Sequence, residues 1–91
     1  MLKRAHAYYR GRVQGVGFRF TVAGAARPYE VTGFVRNLRD GRVELVAEGE
    51  EDEVQALLGD VATSMAGYIR GEDVSWHDHV GEFEDFSVRF A

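Results

Sequence analysis

The sequence predicts an α+β fold in which an antiparallel sheet carries two helices on one face, with a short strand added at the C-terminal end. Three observations lead to this class: segments with apolar residues at every second position, two longer apolar segments that suit helices, and turn residues between them. The 91 residues are enough for one domain and too few for two, so we expect residues 1–91 to form a single domain.

The first half of the chain reads as strand, helix, strand. Residues 7–13 alternate between two faces, which is typical of a half-buried strand. A glycine-containing loop at residues 14–17 leads into an alanine-rich apolar segment, residues 18 to about 27. We predict that this segment is a helix and that Pro28 marks its end. Residues 31–37 form the second predicted strand.

The second half begins with a hairpin and ends with two strands. An Asp-Gly pair predicts a tight turn before a third strand at residues 42–48. Acidic residues 50–53 then suit the positive end of an amphipathic helix. Its apolar residues recur at helical spacing: Val54, Leu57, Leu58, Val61 and Met65. Residues 73–80 and 83–90 complete the chain as strands.

This order, β-α-β-β-α-β plus a terminal strand, is typical of the ferredoxin-like βαββαβ sandwich. Because strands 1 and 3 each lead into a right-handed crossover helix, we expect both to lie at the centre of the sheet. The fold hosts many functions, so it does not by itself identify the chemistry.

Charge is distributed unevenly along the chain. Residues 1–42 carry nine basic and two acidic residues, a net charge of +7, whereas residues 43–91 carry two basic and thirteen acidic residues, a net charge of −11. Ten of the eleven basic residues are arginine, which grips an oxyanion through two parallel hydrogen bonds. Two interpretations stay open: the basic half holds an anion site or a nucleic-acid face, or the charges pair across one interleaved sheet.

Composition excludes several classes of protein. The absence of cysteine excludes disulfides, thiolate catalysis and cysteine-ligated metals. Apolar runs are only a few residues long, so no membrane-spanning helix is predicted, and residues 1–6 lack the apolar stretch of a secretory signal. We therefore expect a cytoplasmic protein that binds neither membrane nor nucleic acid, and a monomer, since no long apolar edge is evident.

The loop between the first strand and the first helix is a candidate anion site. Gly15 and Gly17 allow a tight turn with inward-facing amides, and free amides at the helix start add donors and partial positive charge. Such a concave loop prefers phosphate, sulfate or carboxylate, and Arg19 can add a planar pair of donors. The alternative is a simple strand-to-helix turn with an exposed arginine, because the loop lacks the lysine and the spacing of a P-loop.

Two parts of the sequence resemble the acylphosphatase family. The first is Gly-Arg-Val-Gln-Gly-Val-Gly-Phe-Arg at residues 11–19. The second combines Gly-Phe-Val-Arg-Asn-Leu at residues 33–38 with Asp-Gly-Arg-Val-Glu at residues 40–44. The resemblance implies hydrolysis of acyl phosphates, which are carboxyl-phosphate mixed anhydrides, to a carboxylate and inorganic phosphate without a cofactor. It also implies the βαββαβ order. Residues 67–84 match the family only weakly.

The resemblance assigns roles to the loop and to one asparagine. It implies that six residues cradle the phosphate: Gln14, Gly15, Val16, Gly17, Phe18 and Arg19. It further implies that Arg19 is the phosphate-binding arginine, that Asn37 positions the attacking water, and that no metal takes part. Inorganic phosphate is then the expected product and competitive inhibitor. For Asn37 the structural alternative is a hydrogen bond to its own backbone before the hairpin turn.

Two functions from other classes also fit parts of the sequence. The same fold underlies RNA-binding modules, and Tyr8, Arg10 and Arg12 are predicted to share the open face of the first strand. Against this function, the overall charge is acidic, and Phe18 and Phe20 fall on a predicted helix. The other possibility is a domain that uses the loop only to bind a phosphorylated or carbamoylated ligand, without turnover.

His77 and His79 flank Asp78 and are predicted to share one face of a strand, which places two imidazoles near each other. A metal site needs further ligands, and no third one is obvious in the sequence. We therefore interpret both histidines as solvated or paired residues of an edge strand.

Overall fold

The computed structural model describes residues 1–90, which contain five strands and two helices. The strands are β1 (Leu2–Gly11), β2 (Val31–Asn37), β3 (Val43–Glu50), β4 (Ile69–Asp78) and β5 (Phe86–Arg89), and the helices are α1 (Phe18–Ala26) and α2 (Glu51–Ser64). The strands form one sheet in the order β4-β1-β3-β2-β5. The predicted fold is confirmed, with β1 and β3 in the interior of the sheet.

The short C-terminal strand, added to the predicted antiparallel sheet, pairs in the other orientation. β5 pairs with β2 in parallel, with Val88 opposite Val35, whereas the other strand pairs are antiparallel. The sheet is therefore mixed. The physical reason lies in the connection between β4 and β5, which are the two edge strands of the sheet. Residues 79–85 cross one face of the sheet, and the chain then forms β5 beside β2 and runs in the same direction as β2.

Several strand ends differ from the predicted ones. β1 starts at Leu2 instead of residue 7 and ends at Gly11, because its pairing with β4 shifts register between Arg10 and Gly11. β4 runs over Ile69–Asp78 instead of residues 73–80. β5 is short because the chain before it is still crossing the sheet. The two helices begin within a residue or so of the predicted positions.

Both helices cover the same face of the sheet and bury one apolar core. The sheet contributes alternate residues to it: Ala5, Ala7, Tyr9, Val35, Val43, Leu45 and Ala47. The helices contribute Phe18, Val22, Ala26, Val54, Leu57 and Val61. Within residues 1–90, neither helix is long and apolar enough to span a membrane.

Residues 79–85 cross the opposite face of the sheet and cover part of it. Glu48, whose side chain is fully buried there, accepts hydrogen bonds from the backbone N–H groups of Val80 at 2.9 Å and Gly81 at 3.0 Å. Arg4 lies 3.4 Å from the same carboxylate and balances its charge. The buried carboxylate thus anchors the crossing segment.

Charges of the two halves of the chain pair across the sheet. The ion pairs within 4 Å that join the two halves include Lys3–Asp78, Arg4–Glu48, Arg10–Asp73 and Arg36–Glu44. For these residues the interleaved-sheet interpretation is correct. The guanidinium of Arg42 also lies over the ring of Tyr8, 4.5 Å from its centroid. Of the residues considered for RNA, Arg10 is thus paired with Asp73, and Tyr8 is contacted by Arg42.

Glu44 is a second buried carboxylate on this face. Its Oε2 lies 2.6 Å from His6 Nε2, and its Oε1 accepts a hydrogen bond from Arg36 Nε at 2.5 Å. Burial by itself raises the pKa of Glu44, but the bonds from Arg36 and His6 outweigh burial and hold the pKa below its ordinary value.

We expect a Glu44→Gln variant to lose stability mainly at neutral pH. Because the folded pKa lies below the unfolded value of about 4.3, the stabilisation by Glu44 is complete above that value and is lost as pH falls through the folded pKa. Urea unfolding should show the variant about 2 kcal/mol less stable at pH 7, which is the scale of charge-assisted hydrogen bonds. The difference should shrink below about pH 4. An unchanged difference from neutral to acidic pH contradicts this account.

Candidate active site

The predicted loop and the predicted asparagine meet at one end of the sheet, where β1 and β2 finish. β1 and β2 both pair antiparallel with β3, so they run in the same direction and finish at the same end of the sheet. Tyr9 near the end of β1 and Asn37 at the end of β2 both lie opposite Val43 in β3. The loop that follows β1 therefore reaches the residue that ends β2, although the two are far apart in sequence.

A pocket of about 100 Å³ lies at this end of the sheet. The loop, the first turn of α1 and the end of β2 supply its lining: Val13, Gly15, Gly17, Phe18, Arg19, Phe20 and Asn37. The structure thus brings Arg19 and Asn37 together with three more residues of the predicted phosphate cradle. Gln14 and Val16 are outside this lining, because Gln14 turns towards the hairpin and Val16 packs against the core.

Two glycines determine the shape of the loop. Gly15 and Gly17 have φ of 77° and 75°, the left-handed region that favours glycine. Gly17 is the N-cap residue of α1 and brings no capping side chain, and the first turn of α1 holds no acidic residue. Within residues 1–90, the backbone N–H groups of residues 15–19 have no hydrogen-bond acceptor. Free amides and the positive end of the helix dipole therefore meet at the pocket without a neutralising carboxylate.

The side chain of Gln14 ties the loop to the hairpin between β2 and β3. Its Nε2 donates to the carbonyl oxygens of Leu38 at 2.8 Å and Arg42 at 2.9 Å. Since Leu38 directly follows Asn37, these bonds hold the loop at a set distance from the asparagine. The sequence offered no signal for this role, because a lone glutamine in a glycine-rich loop does not reveal its partner.

Arg19 is held by the C-terminal strand. Its Nη1 donates to the carbonyl oxygen of Arg89 at 3.1 Å, and its guanidinium carbon lies 4.8 Å from the centroid of the Phe90 ring. A guanidinium has five N–H donors, so the bond to Arg89 leaves donors for a ligand. The stacking and the single bond restrict where this charge can lie.

The side-chain oxygen of Asn37 is buried and has no hydrogen-bond partner among the described residues. The alternative role, a bond to its own backbone at the turn, would give this oxygen a backbone donor and is not observed. Leaving a buried polar atom unbonded costs about 1–3 kcal/mol. Asn37 lines the pocket, so this oxygen is able to accept a hydrogen bond from a bound molecule.

Tyr9 packs against Phe18, the first residue of α1. It is fully buried, and its ring centroid lies 5.1 Å from that of Phe18. Burial raises the pKa of Tyr9 well above its ordinary range, so its hydroxyl stays neutral. The residues that line the pocket include no histidine and no carboxylate, so the lining side chains offer no general acid or base.

The two histidines of the C-terminal half do not share a strand face. His77 lies in β4, where its Nε2 is 2.9 Å from Ser75 Oγ. His79 lies beyond the strand, with Nε2 3.7 Å from Glu48 Oε1. The predicted placement is wrong because β4 ends at Asp78. Within residues 1–90 no group of three or more histidines and carboxylates is arranged to hold a metal ion.

Comparison with known proteins identifies the family. The family model described as Acylphosphatase matches residues 5–88. The chain belongs to the acylphosphatase family. The resemblance carried by two parts of the sequence is thereby confirmed over nearly the whole chain.

Individual acylphosphatases match over similar lengths. An acylphosphatase of Pyrobaculum calidifontis is 47% identical over 90 residues, which cover 96% of this chain and 81% of the relative. One of Methylococcus capsulatus is 46% identical over 88 residues, 96% of each chain. The crystal structure of acylphosphatase from Bacillus subtilis superposes with a TM-score of 0.86 at 32% identity, over 98% of this chain and 99% of that chain. The acylphosphatase fold therefore includes β4 and the crossing segment.

Proposed function

We propose that this acylphosphatase-family chain hydrolyses acyl phosphates by attack of water at phosphorus. In this proposal the cradle at residues 14–19 binds the phosphate, Arg19 adds its guanidinium, and Asn37 positions the water. The observation that carries the proposal is the pocket, in which free backbone amides, one guanidinium and one unpartnered amide oxygen meet. No histidine or carboxylate belongs to its lining.

Phosphate binding rests on the start of α1. Backbone N–H groups at a helix N-terminus form hydrogen bonds with phosphate oxygens, and the helix dipole favours their negative charge. The guanidinium of Arg19 adds charge-assisted hydrogen bonds, which are about twice as strong as neutral ones. Because the site is already assembled in the free protein, it stabilises charge on the phosphoryl oxygens without reorganisation during the reaction.

The leaving group explains why the pocket needs no general acid. Cleavage of an acyl phosphate expels a carboxylate, whose conjugate acid has a pKa of about 4. Such a group departs without a proton at neutral pH. The transition state of phosphoryl transfer is loose, with negative charge spread over the equatorial oxygens, so positioning and charge stabilisation are the main requirements. Amides and a guanidinium meet both.

Water attack rests on Asn37. The unpartnered Oδ1 accepts a hydrogen bond from the water and turns a lone pair of the water towards phosphorus. As the new O–P bond forms, the bond between phosphorus and the acyl oxygen breaks, and the carboxylate leaves with that electron pair. An amide oxygen is too weak a base to take the proton of the water, so the proton passes to a phosphate oxygen of the substrate.

Hydrolysis of benzoyl phosphate, followed by absorbance in chelator-treated buffer, tests the proposal. We expect turnover that survives chelation and is competitively inhibited by inorganic phosphate. We also expect a pH–rate profile without an enzyme group of pKa between about 5 and 8 that must gain or lose a proton. A folded protein that binds phosphate without turnover would support the ligand-binding alternative instead.

We also propose that residues 1–91 form one acylphosphatase-like domain that acts as a cytoplasmic monomer. A single apolar core and the acidic residues on edge strand β4 support the monomer, because charged edges oppose pairing between sheets. The absence of cysteine is in keeping with a reducing compartment. Light scattering at increasing concentration tests the monomer, and a mass that doubles with concentration contradicts it.

A further inference from the structure

Two phenylalanines are exposed next to the pocket. Phe20 is 60% exposed and Phe90 is 73% exposed, although both are large apolar side chains. Their ring centroids lie 6.2 Å apart with the planes inclined by 51°, which is the range of a favourable aromatic contact. Phe20 also lines the pocket. The pair therefore forms an apolar surface that is continuous with the phosphate site.

Neither ring is needed for the core. The buried residues of α1 are Phe18, Val22 and Ala26, and Phe20 lies off this face. Phe90 follows β5, beyond its last paired residue Arg89.

The fold brings these two rings to the end of the sheet where the pocket lies. Because β5 runs parallel to β2, both strands finish at the same end of the sheet. Arg89 pairs with Arg36, the residue before Asn37. The guanidinium of Arg19 lies 4.8 Å from the Phe90 centroid and 6.0 Å from the Phe20 centroid. The two rings thus flank the charge that we assign to phosphate binding.

We propose that Phe20 and Phe90 form the binding surface for the acyl group of the substrate, and that they make the enzyme prefer aromatic or other bulky acyl phosphates over acetyl phosphate. This inference rests on the proposed function. The pocket has a volume of about 100 Å³, and its lining includes the residues that we assign to the phosphate and the water. With the phosphoryl group and the water at these residues, we expect the acyl group to extend towards Phe20, the exposed aromatic residue of the lining.

The chemistry of the surface selects the kind of acyl group. Aromatic rings bind other rings through offset or edge-to-face contacts, whereas an acetyl group offers one methyl. Binding energy from a part of the substrate that does not react helps to hold the phosphorus in place, so it affects kcat as well as KM. The expected consequence is a higher kcat/KM for benzoyl phosphate than for acetyl phosphate.

The test compares two substrates in the Phe20→Ala, Phe90→Ala and double variants. We expect the ratio of kcat/KM for benzoyl phosphate to kcat/KM for acetyl phosphate to fall about tenfold in the double variant, the effect of losing two aromatic contacts. Trp76→Ala is the matched control, since Trp76 is a partly exposed aromatic residue on β4, the edge strand on the other side of the sheet from β5. It should leave the ratio unchanged.

A binding measurement without turnover completes the test. Phenylphosphonate should inhibit the wild-type enzyme more strongly than methylphosphonate, and the double variant should lose this preference. A parallel fall of kcat/KM for both substrates would overturn the proposal, because it would mean that the rings act only by holding Arg19. An unchanged ratio would overturn it as well. Failure of the wild-type protein to hydrolyse either substrate would instead contradict the proposed function.

Discussion

An Arg19→Ala variant is expected to lose phosphate binding and about 10³–10⁴-fold in kcat/KM for benzoyl phosphate. An arginine that stabilises the charge of a transferring phosphoryl group contributes effects of this size. The loss should appear in both KM and kcat, because we assign the guanidinium to the phosphate in the ground state and to the negative charge on its oxygens in the transition state. Steady-state kinetics and the inhibition constant of inorganic phosphate measure the two components.

Arg39→Ala is the matched control for Arg19→Ala. Arg39 is an exposed arginine in the turn between β2 and β3, outside the lining of the pocket, so its removal changes the net charge equally. We expect it to retain nearly full activity. Arg19→Lys keeps the charge but not the planar pair of donors, and it should recover only part of the activity. Equal losses in the Arg19 and Arg39 variants would show that net charge, and not this guanidinium, explains the effect.

The Asn37→Ala variant is expected to lose about 10²–10³-fold in kcat, the cost of removing one preorganised hydrogen-bonding group from a reaction centre. Inhibition by inorganic phosphate should stay within about twofold, since the amides and Arg19, to which we assign phosphate binding, are intact. The reason for this division is that Oδ1 of Asn37 is assigned to the water and not to the phosphate.

Asn37→Asp separates position from charge. It retains an oxygen at the same place but adds a negative charge beside a bound dianion, so phosphate inhibition should weaken in this variant and not in Asn37→Ala. If phosphate inhibition disappears in Asn37→Ala, then Asn37 binds phosphate and our division of roles is wrong.

The sequence predicted the fold where local patterns carry the information. Alternation placed Val43, Leu45 and Ala47 on one face of β3, and the spacing of Val54, Leu57 and Val61 identified α2, because burial of a single face imposes these periods. The Asp-Gly pair located the turn between β2 and β3. The order of the elements then limited the topology to few choices.

Features that depend on distant partners were not predictable in this way. The parallel pairing of β5 follows from the path of residues 79–85, which the buried Glu48 anchors through contacts far away in sequence. The bonds of Gln14 to the hairpin are long-range too. The exposed Phe90 lies at the pocket only because β5 ends there. A better local signal was available for Phe20, which is apolar but out of step with the buried face of α1.

The free amides of residues 15–19 belong to the main chain, so most changes of side chain leave these donors in place. Every residue except proline supplies the same N–H group, so a change of side chain at position 16 or 18 alters packing without removing a donor. At Gly15 and Gly17 an added Cβ would meet nothing within 4 Å. Only the positive φ opposes substitution there, at a cost of about 1–2 kcal/mol. Few single substitutions in this segment would therefore remove a donor, and in the proposed mechanism only two side chains, Arg19 and Asn37, act on the substrate.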